Sequence, residues 1–200
     1  MADTFDFEHA FPVPIFRHSR LDGFAKHQQG LIDLIRRLRQ EDKGIRRSNQ
    51  LGWHSDYSLH ELPDPHIKWL TSKLLEITRK SIESLGKGKS TQNLRVTQLW
   101  GNLSEAGAYN ITHNHHLHTW AGVFYLLAEA SCEESNKDDR GGMLEMLCPF
   151  PYGEQQGIAN SMLYRPKDGT VVMFPGFLNH FVHPHRTPHM RISMAFNIDV

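Results

Sequence analysis

The 200-residue chain has little cysteine and no excess of either charge sign. It also contains no long apolar run. Its two cysteines, Cys132 and Cys148, form no CxxC pair, so neither a disulfide framework nor a thiolate zinc site is expected, and a reducing compartment is the simpler setting. Lys plus Arg number 22 and Asp plus Glu number 22. This balance speaks against nucleic acid or an anionic membrane surface as the main partner. No stretch approaches the roughly 20 apolar residues of a spanning helix, and the N-terminal Met1-Ala2-Asp3-Thr4-Phe5-Asp6-Phe7-Glu8 does not read as a secretory signal. A cytoplasmic protein without a membrane partner is therefore expected. There is no internal repeat and no low-complexity segment.

Histidine is plentiful by contrast, with 14 residues concentrated in windows 113–118 and 180–189. His113-Asn114-His115 precedes the apolar run Trp120-Ala121-Gly122-Val123-Phe124-Tyr125-Leu126. On an extended segment, residues two apart share a face. Two such imidazoles joined by a distant third, His180, can hold a metal with coordination positions left open. His116 and His118 compete for the first pair. No Asp or Glu sits within the motif, so the simplest metal-bound arrangement puts His115 where a carboxylate commonly stands. Further on, Arg191, Ser193, Ala195 and Asn197 alternate with Ile192, Met194 and Phe196. An Arg on the polar face of a core strand calls for an anionic partner, because an unpaired buried charge is costly. A carboxylate held by two parallel hydrogen bonds would satisfy it.

The fold class read from the pattern is mainly β with N-terminal helices. Phe11-Pro12-Val13-Pro14-Ile15-Phe16 reads as an edge strand, since proline cannot donate to an inner ladder. Residues 22–40 read as a helix that Asp22 could cap, with Leu31, Leu34, Ile35 and Leu38 at helical spacing. Residues 66–85 read as a second helix, ended by Gly86. Residues 41–65 are polar and turn-rich. From about residue 93 the pattern becomes strand-like, with candidates at 94–100, 119–128, 142–148, 161–164, 170–174 and 190–198. Short strands separated by Pro and Gly punctuation suggest a jelly roll, with the two helices covering one sheet rather than making a homo-oligomer contact. The segment 53–62 and the charged loop 131–141 are candidate lids.

The joint order of these features is more specific than any one of them. Phe11 to Phe16, Ser48 to Ser55, His113 through Tyr125, Phe174-Pro175-Gly176-Phe177-Leu178-Asn179-His180 and its continuation to Pro184, and Arg191 through Asn197 span nearly the whole chain. In this order the chain resembles the iron(II)- and 2-oxoglutarate-dependent oxygenases on a double-stranded β-helix. Within them it is similar to a family of largely uncharacterised bacterial and phage proteins. The resemblance implies one oxygenase-like domain over 1–200, with N-terminal strand and helices in 1–92 and the site-bearing jelly roll in 93–200. It implies Fe(II) on His113, His115 and His180, and 2-oxoglutarate with its far carboxylate on Arg191. Ser193, Tyr125 and Asn102 are implied near the co-substrate. Dioxygen and an unknown substrate would complete the reaction, hydroxylation coupled to decarboxylation of 2-oxoglutarate to succinate. His115 in the place of the more common Asp is the main departure. A cupin-like three-His metalloprotein that does not use 2-oxoglutarate, or a non-catalytic β-sandwich binding protein, are the competing expectations.

Overall fold

Two antiparallel sheets face each other, and two helices cover the outer face of one of them. The computed structural model describes residues 12–86, 91–128, 139–150, 157 and 159–200. Phe11, Cys132 and most of the charged loop 131–141 lie outside them. The elements run β1 (Phe16–His18), α1 (Phe24–Glu41), β2 (Asn49–Gln50), β3 (Trp53–His54), a 3-10 turn (Leu59–Glu61), α2 (Pro65–Ser84) and β4 (Arg95–Ser104). There follow β5 (Tyr109–His113), β6 (Trp120–Leu127), β7 (Leu144–Leu147), β8 (Ser161–Tyr164), β9 (Val171–Pro175), β10 (His180–Val182) and β11 (Arg191–Asp199). The larger sheet has the order β1-β9-β6-β11-β4-β3 and the smaller β2-β5-β10-β7-β8. This is the jelly roll expected from the sequence. Among the described residues no helix is long and apolar enough to cross a membrane.

Period-two alternation sorts the core. Ile192, Met194, Phe196 and Ile198 of β11 pack with Trp120, Phe124 and Leu126 of β6 against α1 and α2. The opposite faces of β6 and β9 send Ala121, Tyr125, Val172 and Phe174 into the space between the sheets, where Leu144 and Met146 of β7 meet them. Burying each large side chain contributes about 1.5–3 kcal/mol relative to leaving it exposed, so continuously apolar β6 and β9 are inner strands of the larger sheet. The helices cover that sheet's outer face.

Several boundaries differ from expectation for identifiable reasons. The edge strand begins only at Phe16 and pairs with β9 over Phe16–His18. Pro12 and Pro14 lack the N–H a ladder needs, so the pairing starts beyond them. Asp22 does not cap α1. The N-cap is Gly23, left-handed at φ 83° and without a side-chain cap, while Asp22 lies 3.7 Å from Lys73 of α2. Gly23 suits both the positive φ and the space, since a Cβ there would come 2.9 Å from Trp69 Nε1. The second helix starts with a cap the periodicity does not reveal: Asp64 accepts from the N–H groups of His66 and Ile67, with Pro65 at the first helical position. The turn-rich 41–65 stretch adds the short strands β2 and β3 to the two sheets.

Candidate metal and co-substrate site

The site lies between the sheets and is built by strand register plus one clamped loop. In the smaller sheet β10 pairs with β5 so that His180 stands opposite His113. Their rings are 4.3 Å apart, centroid to centroid. His115 arrives differently. It lies beyond the end of β5, so strand pleat alone does not explain its placement. Its N–H donates to Gly176 O at 2.7 Å, and Gly176 N–H donates to Thr119 O at 3.1 Å. A Cβ on residue 176 would lie 2.1 Å from His118 O and 2.6 Å from His115 O. Only glycine permits this approach, and the clamp brings the His115 ring to 5.2 Å from His180 and 5.4 Å from His113. One ligand atom from each of the three histidines lies within 4.8 Å of the others.

The electrostatics suit a cation. Burial pushes the pKa of all three imidazoles below the usual histidine value, that of His115 to about 4 and that of His180 to about 3, with neighbouring histidines adding to the effect at His115 and His180. The rings are therefore neutral and carry lone pairs. His113 Nδ1 donates to Ile111 O at 2.7 Å and His180 Nδ1 to Leu178 O at 2.9 Å. A carbonyl only accepts, so the proton sits on Nδ1 and the lone pair on Nε2. Carbonyl-oriented imidazoles of this kind are the usual support for a metal, and the donor set fits iron as well as other imidazole-preferring metals.

The other histidines of the two windows go elsewhere. His116 Nδ1 lies 2.9 Å from Asn114 Oδ1. His118 Nδ1 lies 2.8 Å from Asp199 Oδ2. His183 pairs with Glu145 at 2.6 Å, and His185 faces His189 O.

The larger sheet supplies the opposite wall. Tyr125, Ser193, Asn102 and His54 form one row across β6, β11, β4 and β3, because the register pairs Tyr125 with Ser193, Ser193 with Asn102, and Asn102 with His54. Arg191 is 3% exposed, its Nη1 donating to Ser193 Oγ at 3.3 Å. Its guanidinium carbon lies 5.4 Å from the centroid of Tyr125. The Tyr125 hydroxyl is fully buried without a hydrogen-bond partner of good geometry among the described residues. Burial pushes its pKa up to about 12, with the Arg191 charge opposing the shift. A buried phenol and a guanidinium side by side on one wall suit an acceptor-rich anion such as a carboxylate. All seven residues named from the sequence line one cavity of about 430 Å³.

Sequence reasoning missed much of this cavity. Trp100 stacks on His115 at 5.7 Å and 18° and on His54 at 5.5 Å and 9°. Tyr57 meets Trp100 edge-on at 5.2 Å. The signal was available: Gln98, Trp100 and Asn102 share one face of β4 by period two, and all three line the cavity. Of the two lid candidates, the 53–62 segment contributes His54 and Tyr57.

A jelly roll with three neutral imidazoles facing a buried arginine is the arrangement of a metal-centred oxygenase. Residues 98–197 match the family model described as "Putative 2OG-Fe(II) oxygenase", and the chain belongs to that family of 2-oxoglutarate-dependent oxygenases. Its cofactors are Fe(II) and 2-oxoglutarate, and membership favours it over a three-His protein that does not use 2-oxoglutarate. Among solved structures the chain is similar to a Pseudomonas putida prolyl-4-hydroxylase, with TM-score 0.63, 16% identity and 94% of each chain covered. It is similar to HygX from Streptomyces hygroscopicus with nickel and 2-oxoglutarate bound, with TM-score 0.63, 11% identity and coverage of 94% of this chain and 83% of that one. The viral collagen prolyl hydroxylase of Paramecium Bursaria Chlorella virus-1 follows, with TM-score 0.57, 18% identity and coverage of 93% and 96%. At these identities the likeness is one of fold. No curated protein matches the chain.

Proposed function

We propose that this oxygenase hydroxylates a C–H bond of its substrate while 2-oxoglutarate is converted to succinate and carbon dioxide. One atom of dioxygen enters the substrate and the other the new carboxylate of succinate. His113, His115 and His180 hold Fe(II), which when bound supplies the activation of dioxygen that side chains cannot perform. Arg191 fixes the far carboxylate of 2-oxoglutarate, with Ser193 steadying the guanidinium, Tyr125 donating its hydroxyl and Asn102 completing the row. The Trp100 ring, stacked on His115, restricts how that imidazole can turn and keeps water from one flank. The observation that carries this reading is the three neutral imidazoles sharing one cavity with a buried guanidinium. A reducing, cytoplasmic setting belongs to the proposal; Cys148 is a free thiol.

Turnover tests it. Fe(II)-dependent release of succinate from 2-oxoglutarate, followed by NMR, is expected in the wild type and absent in His180→Ala. In Arg191→Gln the KM for 2-oxoglutarate rises by roughly 100-fold, the scale of a lost charge-assisted pair. Unchanged succinate release in His180→Ala, or an unchanged KM in Arg191→Gln, refutes the assignment.

A further inference from the structure

The cavity carries a second cation that the reaction as described does not use. Arg47 and Arg191 are the Arg and Lys side chains on its wall, and among the described residues no Asp or Glu lines it. With Arg191 committed to 2-oxoglutarate, the remaining charged side chain on the wall is Arg47. No carboxylate among the described residues lies within ion-pair distance of it.

Arg47 belongs to an exposed segment, yet its side chain is not loose. Nε donates to Tyr57 Oη at 3.1 Å and Nη1 to Arg46 O at 3.0 Å. The guanidinium carbon stands 5.9 Å from the centroid of the Tyr57 ring. These contacts hold the guanidinium in place, and a group ordered in advance loses less entropy when a ligand arrives. A guanidinium has five N–H groups. The two bonds above leave one on Nη1 and both on Nη2, the end-on fork that matches the two oxygens of a carboxylate. A phosphate dianion would call for further donors.

The position relative to the metal cluster is short and aromatic. Next to Arg47, Ser48 Oγ lies 3.3 Å from His113 Nε2. Tyr57, which braces Arg47, packs edge-on against Trp100, and Trp100 stacks on His115. Tyr57, Trp100 and the histidine cluster line the same cavity as Arg47, so an anion on Arg47 directs the carbon skeleton behind it past these two aromatic side chains toward the histidines. We infer that the substrate is a small carboxylate with a planar or apolar body, anchored by its carboxylate on Arg47. This rests on the proposed function only for the assignment of Arg191 to the co-substrate.

The test uses phenylacetate as probe and phenylacetamide as its neutral counterpart. Each is titrated calorimetrically into the 200-residue protein, with and without Fe(II) and 2-oxoglutarate under anaerobic conditions. Phenylacetate is expected to bind the loaded wild type without displacing 2-oxoglutarate, and to bind Arg47→Gln about tenfold more weakly, the scale of one lost charge-assisted contact. Phenylacetamide is expected to bind weakly and equally to both proteins. Arg47→Lys, which keeps the charge but not the fork, should recover only part of the affinity. The inference is overturned if phenylacetate does not bind, if it binds both proteins equally, or if it competes with 2-oxoglutarate. It is also overturned if Arg47→Gln weakens 2-oxoglutarate itself, or if phenyl phosphate binds more than tenfold tighter than phenylacetate in an Arg47-dependent way. Should the wild type take up no 2-oxoglutarate, the proposed function fails, and the Arg47-dependent difference between probe and amide in the metal-free protein still decides the substrate class.

Discussion

Gly176 shows how one missing Cβ sets the geometry of the three-histidine cluster. The carbonyls of His115 and His118 occupy the space a side chain would need, and both are backbone atoms that cannot move without carrying the His115 loop with them. Gly176→Ala is therefore expected to fold and yet to weaken Fe(II) binding by roughly 10- to 100-fold, as disturbed support for a ligand typically does. A competition titration against a colorimetric chelator measures this. Wild-type affinity in the variant would mean that the loop tolerates displacement. The residue types of the cluster were legible in the sequence, since His113, His115, His180 and Arg191 stand out by spacing. The reason His115 reaches the cluster was not, because it depends on a contact between loops more than 50 residues apart, which no local periodicity encodes.

Among the elements, β6 and β4 both carry a glycine against packed neighbours, and they differ in what surrounds it. A Cβ at Gly122 would meet Phe196 Cζ at 2.3 Å and the backbone carbonyl of Val172 at 2.8 Å. At Gly101 it would meet Ile35 Cδ1 at 2.3 Å, the far end of a flexible side chain. Gly122→Ala is expected to destabilise by about 3 kcal/mol and Gly101→Ala by about 1 kcal/mol, the upper and lower ends of overpacking costs. Urea unfolding of the two variants checks the order, and equal midpoints would contradict it. The alternation of β11 predicted its two faces residue by residue, because a long strand with one face in the core must repeat every second position. Strands of two or three residues, such as β2, β3 and β10, give no such repeat and emerge only from their partners. The sequence reading began α2 at residue 66 and missed its Asp64 cap and first-turn Pro65, and the Asp22 reading of α1 failed because the N-cap is the left-handed Gly23, without a side-chain cap.

For the whole molecule, acid is the revealing variable. Outside the cluster, burial lowers the pKa of His18, His27, His54 and His185 from 6.5. These imidazoles are held neutral in the folded state, so the stability they contribute is complete above the unfolded value of 6.5 and is lost as pH falls through it toward their lower native values. The lowered carboxylates Glu145 and Asp199 act in the same direction but only at more acid pH, below about 4.5. The thermal midpoint of the metal-free protein is expected to fall by on the order of 5 °C between pH 7.5 and 5 at constant ionic strength. A midpoint that is flat or rises over this interval would contradict the burial of these residues. At this scale the sequence was most informative. Two helices, a change to short strands and a bipartite histidine pattern together define a helix-covered jelly roll. The aromatic wall formed by His54, Tyr57 and Trp100 was hidden because its members come from separate strands and a turn.

The account turns on one cavity holding both Fe(II) and 2-oxoglutarate, its wall shared by the histidine cluster and Arg191. An anaerobic titration of the metal-free protein with Fe(II) and then 2-oxoglutarate, followed in the visible range, addresses this directly. The predicted result is a metal-to-ligand charge-transfer band that needs both components, is absent in His180→Ala, and in Arg191→Ala requires far higher 2-oxoglutarate. Bound iron with no band on addition of 2-oxoglutarate would contradict the account.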